Sequence, residues 1–460
     1  MSLKIKVLLI TLFVMTLSWS VQAQLFSSDE NTPKFNSPYS RVGIGDLASQ
    51  NFIASYSLGG LSAAFNDPYQ ANITNPAAIG FLKSTSFEVG GFFRYGLLNN
   101  DDVTINTFAG NFGYMSIGFP MINEVNLELD RKDPLLDWRM NFALVPYTNV
   151  GYNVQVEGPV EGGQVDGIET DSTTSTFTGK GGTYKLIWTN ALKYKDLSVG
   201  INAGYLFGNI INEREVFING SFNSYFNNLV DNTNYTGLIW SFGAQYKHQF
   251  KKMSDKGKLE NSGRSLTIGA YVNSQGNIKS TSDQFYRRIN PTFQIADTLR
   301  NVSGIEGSAV LPGQFGVGLM YEKVNKFRVG LDYSASQWSN YTNDVIPSTL
   351  VNSWRVALGG EILPNYNSYN NYLDKVRYRL GLYYENDPRL DEFNEQLTTL
   401  GLVLGVGMPI TLPRGQTSFF NLGLEVGQIG TEQSLNETYF RVNLGFTLND
   451  NYWFFKRKFD

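Results

Sequence analysis

The chain has 460 residues, a formal net charge of −4, one histidine and no cysteine. The lack of cysteine excludes disulfides, thiolate metal sites and a lipid-modified cysteine, and the lack of a basic stripe excludes a nucleic-acid partner. Aromatic residues make up 14% of the chain and glycine occurs 46 times, which favours β-structure with crowded faces.

The N-terminus predicts a secretory signal peptide. Lys4 and Lys6 precede an apolar run from Val7 to about Met15, and small and polar residues follow as far as Ala23. An N-terminal transmembrane helix is the alternative, but the run is too short and wrongly flanked for one. We therefore expect export and removal of residues 1–23.

Residues 24–82 lack a clear apolar period. The stretch SAAFNDPYQANITNPAAIGFL (62–82) consists of small, polar and turn-forming residues. Asp67-Pro68 and Asn75-Pro76 interrupt any helix in it. This segment is predicted to be a separate N-terminal domain, and residues 83–460 are predicted to form the main domain.

From residue 83 onward, apolar residues recur with period two. In ETYFRVNLGFTLND, Phe440, Val442 and Leu444 share one face, whereas Arg441 and Asn443 share the other. Long strands that are apolar on one face only are expected when that face meets lipid. The fourteen predicted strands cover 83–98, 103–120, 138–157, 181–194, 196–213, 234–250, 264–282, 308–324, 326–338, 351–363, 374–386, 397–411, 416–428 and 438–451.

The connections between these segments alternate in length. Tight turns such as 193–196, 322–326 and 413–416 alternate with long polar loops, predicted at 158–180, 214–233, 283–307, 339–350, 387–396 and 429–437. This asymmetry is typical of outer-membrane barrels. The sequence therefore predicts an all-β fold, a 14-stranded antiparallel transmembrane β-barrel in the bacterial outer membrane. A soluble propeller or sandwich is the alternative, but its strands would be shorter.

Three motifs resemble the FadL/TodX-type family of outer-membrane transporters for long-chain fatty acids and hydrocarbons (OMPP1-like). Asn75-Pro76-Ala77, just before the first strand, is similar to the end of the family's hatch. NSPYSRVGIGDL (36–47) resembles the mature N-terminus of a branch typical of gliding and gut-type Gram-negative bacteria, and VPYTNVGY (145–152) is similar to a proline-containing stretch of the third strand. The resemblance covers essentially the whole mature chain.

The resemblance implies a function and a set of site residues. Residues 24–82 would be a hatch that plugs the lumen, and the protein would take up long-chain fatty acids or aromatic hydrocarbons passively. Pro146 and Tyr147 would mark a lateral opening; a simple bulge is the alternative, since proline cannot donate to the ladder. Ligand or hatch roles are predicted for Phe65, Asn75, Pro76, Ala77, Ile79 and Phe81, although the apolar members of this set could instead pack the plug against the wall.

Inward-facing arginines are candidate anchors for a carboxylate ligand. Arg94, Arg377 and Arg379 could each hold one through charge-assisted hydrogen bonds. Alternatively, inward charges pair with one another and with the hatch, because both signs occur in similar numbers among the residues predicted to face the lumen.

The remaining alternatives concern enzymes and partners. A barrel lipase needs a histidine base near its serine, and the single histidine, His248, lies among lysines at a strand end. We therefore predict no enzyme activity, no cofactor and no metal. The expected partners are the outer-membrane bilayer, a hydrophobic small molecule and the barrel-assembly machinery, which could recognise Trp453, Phe454 and Phe455. The alternative function is that of a partner or shuttle subunit of a type IX secretion apparatus, which members of the same superfamily perform.

Overall fold

The computed structural model describes residues 37–450, except 101–102, 122–135, 159–163, 166–167, 170–171, 219–225, 254–258, 291–294, 392, 413–415 and 432–434. The predicted signal peptide, residues 24–36 of the predicted hatch and the C-terminal aromatic residues lie outside the described part of the chain.

The described secondary structure consists almost entirely of β-strands. One short helix, α1 (Ile53–Tyr56), and four 3₁₀ turns (Pro38–Arg41, Pro76–Phe81, Trp338–Asn340 and Leu373–Lys375) accompany them. None of the helices in the described residues is long and apolar enough to cross a membrane. The strands are β1 (Asp46–Leu47), β2 (Thr85–Asn100), β3 (Val103–Pro120), β4 (Asp137–Gly158), β5 (Gln164–Val165), β6 (Ile168–Glu169), β7 (Thr173–Tyr194), β8 (Leu197–Ile218), β9 (Phe226–Met253), β10 (Leu259–Asn273), β11 (Gly276–Asn290), β12 (Ile295–Leu311), β13 (Gln314–Lys323), β14 (Phe327–Ser336), β15 (Thr342–Asn343), β16 (Ser353–Ile362), β17 (Arg377–Leu390), β18 (Gln396–Thr411), β19 (Thr417–Gly430) and β20 (Asn436–Asp450).

Fourteen strands of the described chain form a closed antiparallel barrel, which confirms the predicted fold class. The barrel strands are β2, β3, β4, β7, β8, β9, β10, β13, β14, β16, β17, β18, β19 and β20. The first and last of them pair from Thr85 opposite Asp450 to Asn99 opposite Asn436. This pairing removes the two free edges that an open sheet would expose to lipid.

The outward faces carry the apolar residues that the alternation predicts. On β13 and β14, Leu319, Val329 and Leu331 are between 44% and 49% exposed, whereas Arg328 and Asp332, which flank Val329 and Leu331 on the inward side of β14, are buried. The same alternation recurs on β20, where Phe446 and Leu448 face outward and Thr447 and Asn449 are buried. The barrel thus presents an apolar surface to the bilayer and a polar one to its lumen.

Several predicted loops are wrong, because the strands continue into them. β7 begins at Thr173, β8 ends at Ile218 and β9 begins at Phe226, so most of 158–180 and 214–233 is strand. β11 and β12 likewise occupy most of 283–307 and pair with each other above β10 and β13. These parts of the strands lack the apolar alternation that marked the others, although their ladder hydrogen bonds continue.

Residues 37–82 lie on the inward side of the barrel. The Asn75 side chain donates to the carbonyl oxygens of Ala244 on β9 (3.4 Å) and Ala270 on β10 (3.3 Å). The Asn202 side chain of β8 donates to the carbonyl oxygen of Ile73 (2.9 Å). We call residues 37–82 the inner segment; its function as a movable hatch remains a prediction.

The inner segment approaches the wall most closely at glycines. A Cβ on Gly359 of β16 would stand 2.7 Å from the carbonyl carbon of Leu58. A Cβ on Gly200 of β8 would stand 2.5 Å from the carbonyl carbon of Pro76. Gly59 and Gly60, with φ of 74° and 81°, turn the segment at the first of these contacts. The main chain of the inner segment therefore fits against bare main chain of the wall.

We predict that Gly359→Ala lowers the free energy of unfolding by about 1–3 kcal/mol, the usual cost of overpacking, because the backbone of Leu58 cannot rotate away. The neighbouring Gly360→Ala is the matched control: its Cβ points outward and its nearest heavy atom would be 3.6 Å away. Denaturant unfolding of the two variants in the same detergent checks this. Equal midpoints would show that the inner segment is not held against β16.

Candidate ligand cavity and lateral gap

A cavity of about 350 Å³ lies above the inner segment, on the side of the barrel where β17 ends and the long strands extend. This volume is in the range of small-molecule sites. Its lining mixes apolar side chains such as Ile187, Ile239 and Trp240 with charged ones. Gln50 and Ile73 of the inner segment form part of its floor and wall.

Next to this cavity the wall loses part of its ladder. Among the described residues, β3 pairs with β4 only from Met115 opposite Leu144 to Pro120 opposite Arg139. Beyond Met115, β3 continues along β2 but has no ladder with β4. A bulge on each strand flanks the break: Gly113 is the extra residue between β2 and β3, and Tyr147 is the extra residue between β4 and β7. Bulges bend a strand away from its neighbour.

The inner segment supplies the hydrogen bonds that β3 no longer makes. The Gln50 side chain donates to the carbonyl oxygen of Pro146 (2.8 Å). The backbone N–H of Ala48 donates to the carbonyl oxygen of Tyr147 (2.9 Å). β1 then pairs with β4 at Thr148 and Asn149. Further along, the N–H of Ser37 donates to the Gly151 carbonyl (2.8 Å). Residues 37–50 therefore act as a substitute strand along the free edge of β4.

Glycines explain why the NSPYSRVGIGDL motif can lie so close to β4. Gly43 and Gly45 have φ of 67° and 97°, a region that residues with a Cβ rarely adopt. A Cβ on Gly45 would also stand 2.5 Å from the side chain of Val150. Both glycines are thus required for the substitute strand to follow the edge.

An ion pair fixes the substitute strand from across the lumen. Arg389, near the outer end of β17, forms an ion pair with Asp46 of β1. Its guanidinium also bonds Asp387 in bidentate fashion, at 2.7 Å from each of two nitrogens. Asp387 therefore orients Arg389 toward Asp46.

A second ionic cluster holds the inner segment at the opposite end of the barrel. Asp67 accepts from Arg328 (2.9 Å) and Arg377 (2.7 Å), and Glu361 accepts from Arg328 (2.8 Å) and Arg379 (2.7 Å). Asp67 is 2% exposed and belongs to the inner segment, whereas the other four residues belong to the wall. Burial acts to raise the pKa of the Asp67 carboxyl, but Arg377 and Arg328 hold it below its usual value. Asp67 therefore stays ionised at neutral pH.

The three arginines predicted as carboxylate anchors all have acidic partners. Arg377 and Arg379 lie in this cluster, and Arg94 pairs with Glu437 at 3.0 Å while its guanidinium covers the ring of Tyr439. The observed geometry is the mutual pairing that the sequence left as the alternative. Ligand binding by these arginines remains a prediction.

The six predicted ligand or hatch residues are packed between the inner segment and the wall. Asn75 begins the 3₁₀ turn Pro76–Phe81, where its side-chain oxygen accepts from the N–H of Ala77 (3.1 Å). Phe65 and Ile79 are fully buried in apolar clusters. None of the six lines the cavity. Pro146 and Tyr147, by contrast, both line it and both lie at the break in the ladder.

Sequence reasoning did not select Asp46 and Arg389, or single out Lys185 and Arg441. Lys185 and Arg441 alternate inward on β7 and β20, so their direction was predictable, but it was not predictable that neither forms an ion pair with a carboxylate of the described residues. Asp46 lies in the NSPYSRVGIGDL motif, and only the fold brings it to Arg389, which is 343 residues away in the chain.

A closed barrel with an apolar belt, a polar lumen and an inner segment packed in that lumen defines an outer-membrane barrel protein. A sequence profile of the family described as BamG matches residues 4–460, and the chain belongs to this family. No curated protein matches the sequence at a significant level.

Solved structures share the fold at low identity. A Pseudomonas aeruginosa FadL homologue is 11% identical, covers 88% of this chain and 98% of its own, and has a TM-score of 0.55. The CymD monoaromatic hydrocarbon channel is 12% identical, with coverage of 89% and 99% and a TM-score of 0.51. The toluene transporter TodX of P. putida is 14% identical, with the same coverage and a TM-score of 0.50. The predicted FadL/TodX-type resemblance is confirmed for the fold.

We predict that Asp67→Asn loosens the inner segment. The substitution leaves Arg328 and Arg377 buried without their shared carboxylate, and breaking a buried ion pair on one side costs about 3–5 kcal/mol. The midpoint of denaturant unfolding should fall accordingly, and protease should cut the inner segment at lower enzyme concentration.

The control for this variant is Glu306→Gln, which removes an exposed ion pair with Lys279 and should leave both measurements unchanged. A pH series gives a second check. The stabilisation due to Asp67 is present above the pKa of an unfolded aspartate and is lost as the pH falls through the lowered pKa. The wild type should therefore lose stability in acid more steeply than Asp67→Asn does. Parallel curves would contradict the assignment.

Proposed function

We propose that the protein lets hydrophobic small molecules, of the long-chain fatty-acid or aromatic-hydrocarbon kind, pass passively from the cell exterior into the outer membrane. The route runs from the long-strand end of the barrel into the cavity and then sideways between β3 and β4. The ligand leaves toward lipid and never has to cross the periplasmic end of the lumen.

The break in the β3–β4 ladder carries this proposal. It lies beside the cavity, it is bounded by Pro146 and Tyr147 on the wall, and it is covered by a short segment rather than by a full barrel strand. A polar solute gains nothing from an exit that faces hydrocarbon, whereas a hydrophobic one does. The fold shared with a monoaromatic hydrocarbon channel and a toluene transporter supports a hydrophobic ligand.

Residues 37–50 would act as the gate of this route. They contribute a two-residue strand and a few isolated hydrogen bonds to β4, so their displacement costs far less than opening a full ladder. The rest of the inner segment, with Asn75-Pro76-Ala77 and Asp67, would remain as the plug that prevents leakage of polar solutes.

We predict that a disulfide between the gate and β4 stops transport. Leu47 and Thr148 are paired residues, and the Cα separation in an antiparallel pair, about 4.5–5.5 Å, suits a disulfide. The chain has no cysteine of its own, so Leu47→Cys/Thr148→Cys creates a single cross-link. Uptake of radiolabelled oleate and toluene by cells should be lost under oxidation and return on reduction.

The matched control is Ser116→Cys/Ala143→Cys, which links β3 and β4 below the break, where they stay paired. Its uptake should not depend on reduction. Unchanged uptake in the oxidised gate variant would contradict a lateral exit. Isolation of the wild type with a secretion component in fixed ratio, together with no uptake of either probe, would favour the secretion-partner function instead.

A further inference from the structure

Two cations lie directly opposite each other on the wall of the barrel. Arg264 of β10 and Lys323 of β13 are cross-strand partners, and like charges in this position repel each other and weaken the ladder. Neither forms an ion pair with a carboxylate in the described part of the chain. On the inward side of the same region, by contrast, Lys247 has Glu322 as a partner at 2.8 Å. The repulsion between Arg264 and Lys323 is thus left uncompensated by the described residues.

Both side chains of this pair point toward lipid. From β9 to β17, the row of cross-strand partners at this level reads Phe250, Arg264, Lys323, Phe327, Ile362 and Tyr378. Residues opposite each other share one face of a sheet. Phe327 is two residues before the outward-facing Val329, and Phe250 and Phe327 are 37% and 40% exposed. The pair is therefore a cationic interruption of an otherwise apolar and aromatic row on the outside of the barrel.

The pair lies at the level of the lipid head groups. It is at the end of the barrel that has the tight β13–β14 turn, and tight turns face the periplasm in outer-membrane barrels. The ring of Tyr321 lies between those of Phe250 and Phe327, with centroids 6.5 Å and 6.0 Å apart. Aromatic girdles mark the two interfaces of a membrane barrel. The cations therefore lie where the phosphates of the periplasmic leaflet are found.

A bulge in β10 fixes the position of the pair. Two extra residues, Ser262 and Gly263, precede Arg264 on the side that faces β9. Gly263 has a φ of 69°, and its carbonyl oxygen accepts from the N–H of Val324 in the β13–β14 turn (2.8 Å). Bulges re-aim side chains and are frequent beside functional sites. Main-chain bonds thus hold the two cations side by side.

We propose that Arg264 and Lys323 form a binding site for an anionic phospholipid of the periplasmic leaflet. The guanidinium and the ammonium donate charge-assisted hydrogen bonds to the oxygens of one phosphate, and the acyl chains lie along Ile268 and Leu319, which are opposite each other and about half exposed. Two cations favour a head group without an ammonium of its own, so phosphatidylglycerol is preferred to phosphatidylethanolamine. The site is on the outside of the wall, so it does not depend on the proposed function.

The test is native mass spectrometry of the purified full chain in neutral detergent, titrated with phosphatidylglycerol or phosphatidylethanolamine of the same acyl chains. Lys323→Gln should weaken phosphatidylglycerol binding about tenfold or more, the loss expected for a hydrogen bond between charged groups, and leave phosphatidylethanolamine binding unchanged. Lys323→Arg keeps the charge and should retain the preference. The matched control is Lys251→Gln, which removes an exposed lysine next to Phe250 from the other face of β9 and should match the wild type.

Reversing one charge gives a second measurement. Lys323→Glu places a carboxylate directly opposite Arg264, which then has a partner within the chain. In lipid-free detergent this variant should unfold at a higher denaturant concentration than the wild type. Added phosphatidylglycerol should stabilise the wild type and not the variant, so the loss of lipid binding cannot be due to misfolding.

Four results would overturn the site. Equal binding of the two lipids, unaffected by Lys323→Gln, would show that the apolar belt holds lipid without recognising its head group. An equal loss in Lys251→Gln would show that only the overall charge of this end matters. Displacement of the lipid by inorganic phosphate at equal concentration would assign the pair to free phosphate. Isolation with an acidic protein bound through Arg264 in place of lipid would assign it to a protein partner. None of these results concerns the uptake of oleate or toluene, so the proposed function is tested separately.

Discussion

The need to pair every backbone N–H and C=O inside a bilayer governs this structure. Strands satisfy that need only when the sheet closes, which the β2–β20 ladder achieves. The one described place where barrel neighbours separate, between β3 and β4, would otherwise leave the edge of β4 without partners. The inner segment resolves the conflict, because Gln50, Ala48 and β1 bond to that edge from within. The proposed sideways opening of the wall would therefore require this piece of chain to move.

The sequence predicted the barrel because lipid imposes a pattern that water does not. Every strand that meets hydrocarbon on one face, such as β14 with Val329 and Leu331 outward, shows the alternation clearly. The upper parts of β8, β9, β11 and β12 were missed because both of their faces tolerate polar residues, so nothing in residue order separates strand from loop there. Pro146 was informative for a different reason. Proline has no backbone N–H to donate to the ladder, so within a sheet it is confined to strand edges, strand starts and bulges.

The site was less predictable, because it depends on which charges meet. Alternation indicates that Arg377 and Arg379 face inward, but only the fold shows that Asp67 and Glu361 neutralise them. Alternation places Lys185 inward in the same way, and only the fold shows that no described carboxylate reaches it. The side chains with acidic partners and the side chain without one give the same signal in the sequence. Their different roles come from residues hundreds of positions away.

The two ends of the inner segment are held by interactions of different kinds, and this difference bears on mechanism. Buried ion pairs such as those of Asp67 add little net stability but are costly to break on one side, so they fix position rather than contribute free energy. Residues 37–50, in contrast, are held by a two-residue strand, by isolated hydrogen bonds from Ser37, Ala48 and Gln50 to β4, and by the Asp46–Arg389 ion pair, in which Arg389 has Asp387 as a second acidic partner. Loss of the Asp46 contact therefore leaves Arg389 paired with Asp387, whereas loss of Asp67 leaves Arg377 without its ion pair. The proposed lateral transport without leakage requires residues 37–50 to move while the part of the inner segment around Asp67 stays in place, and the two kinds of attachment agree with that division.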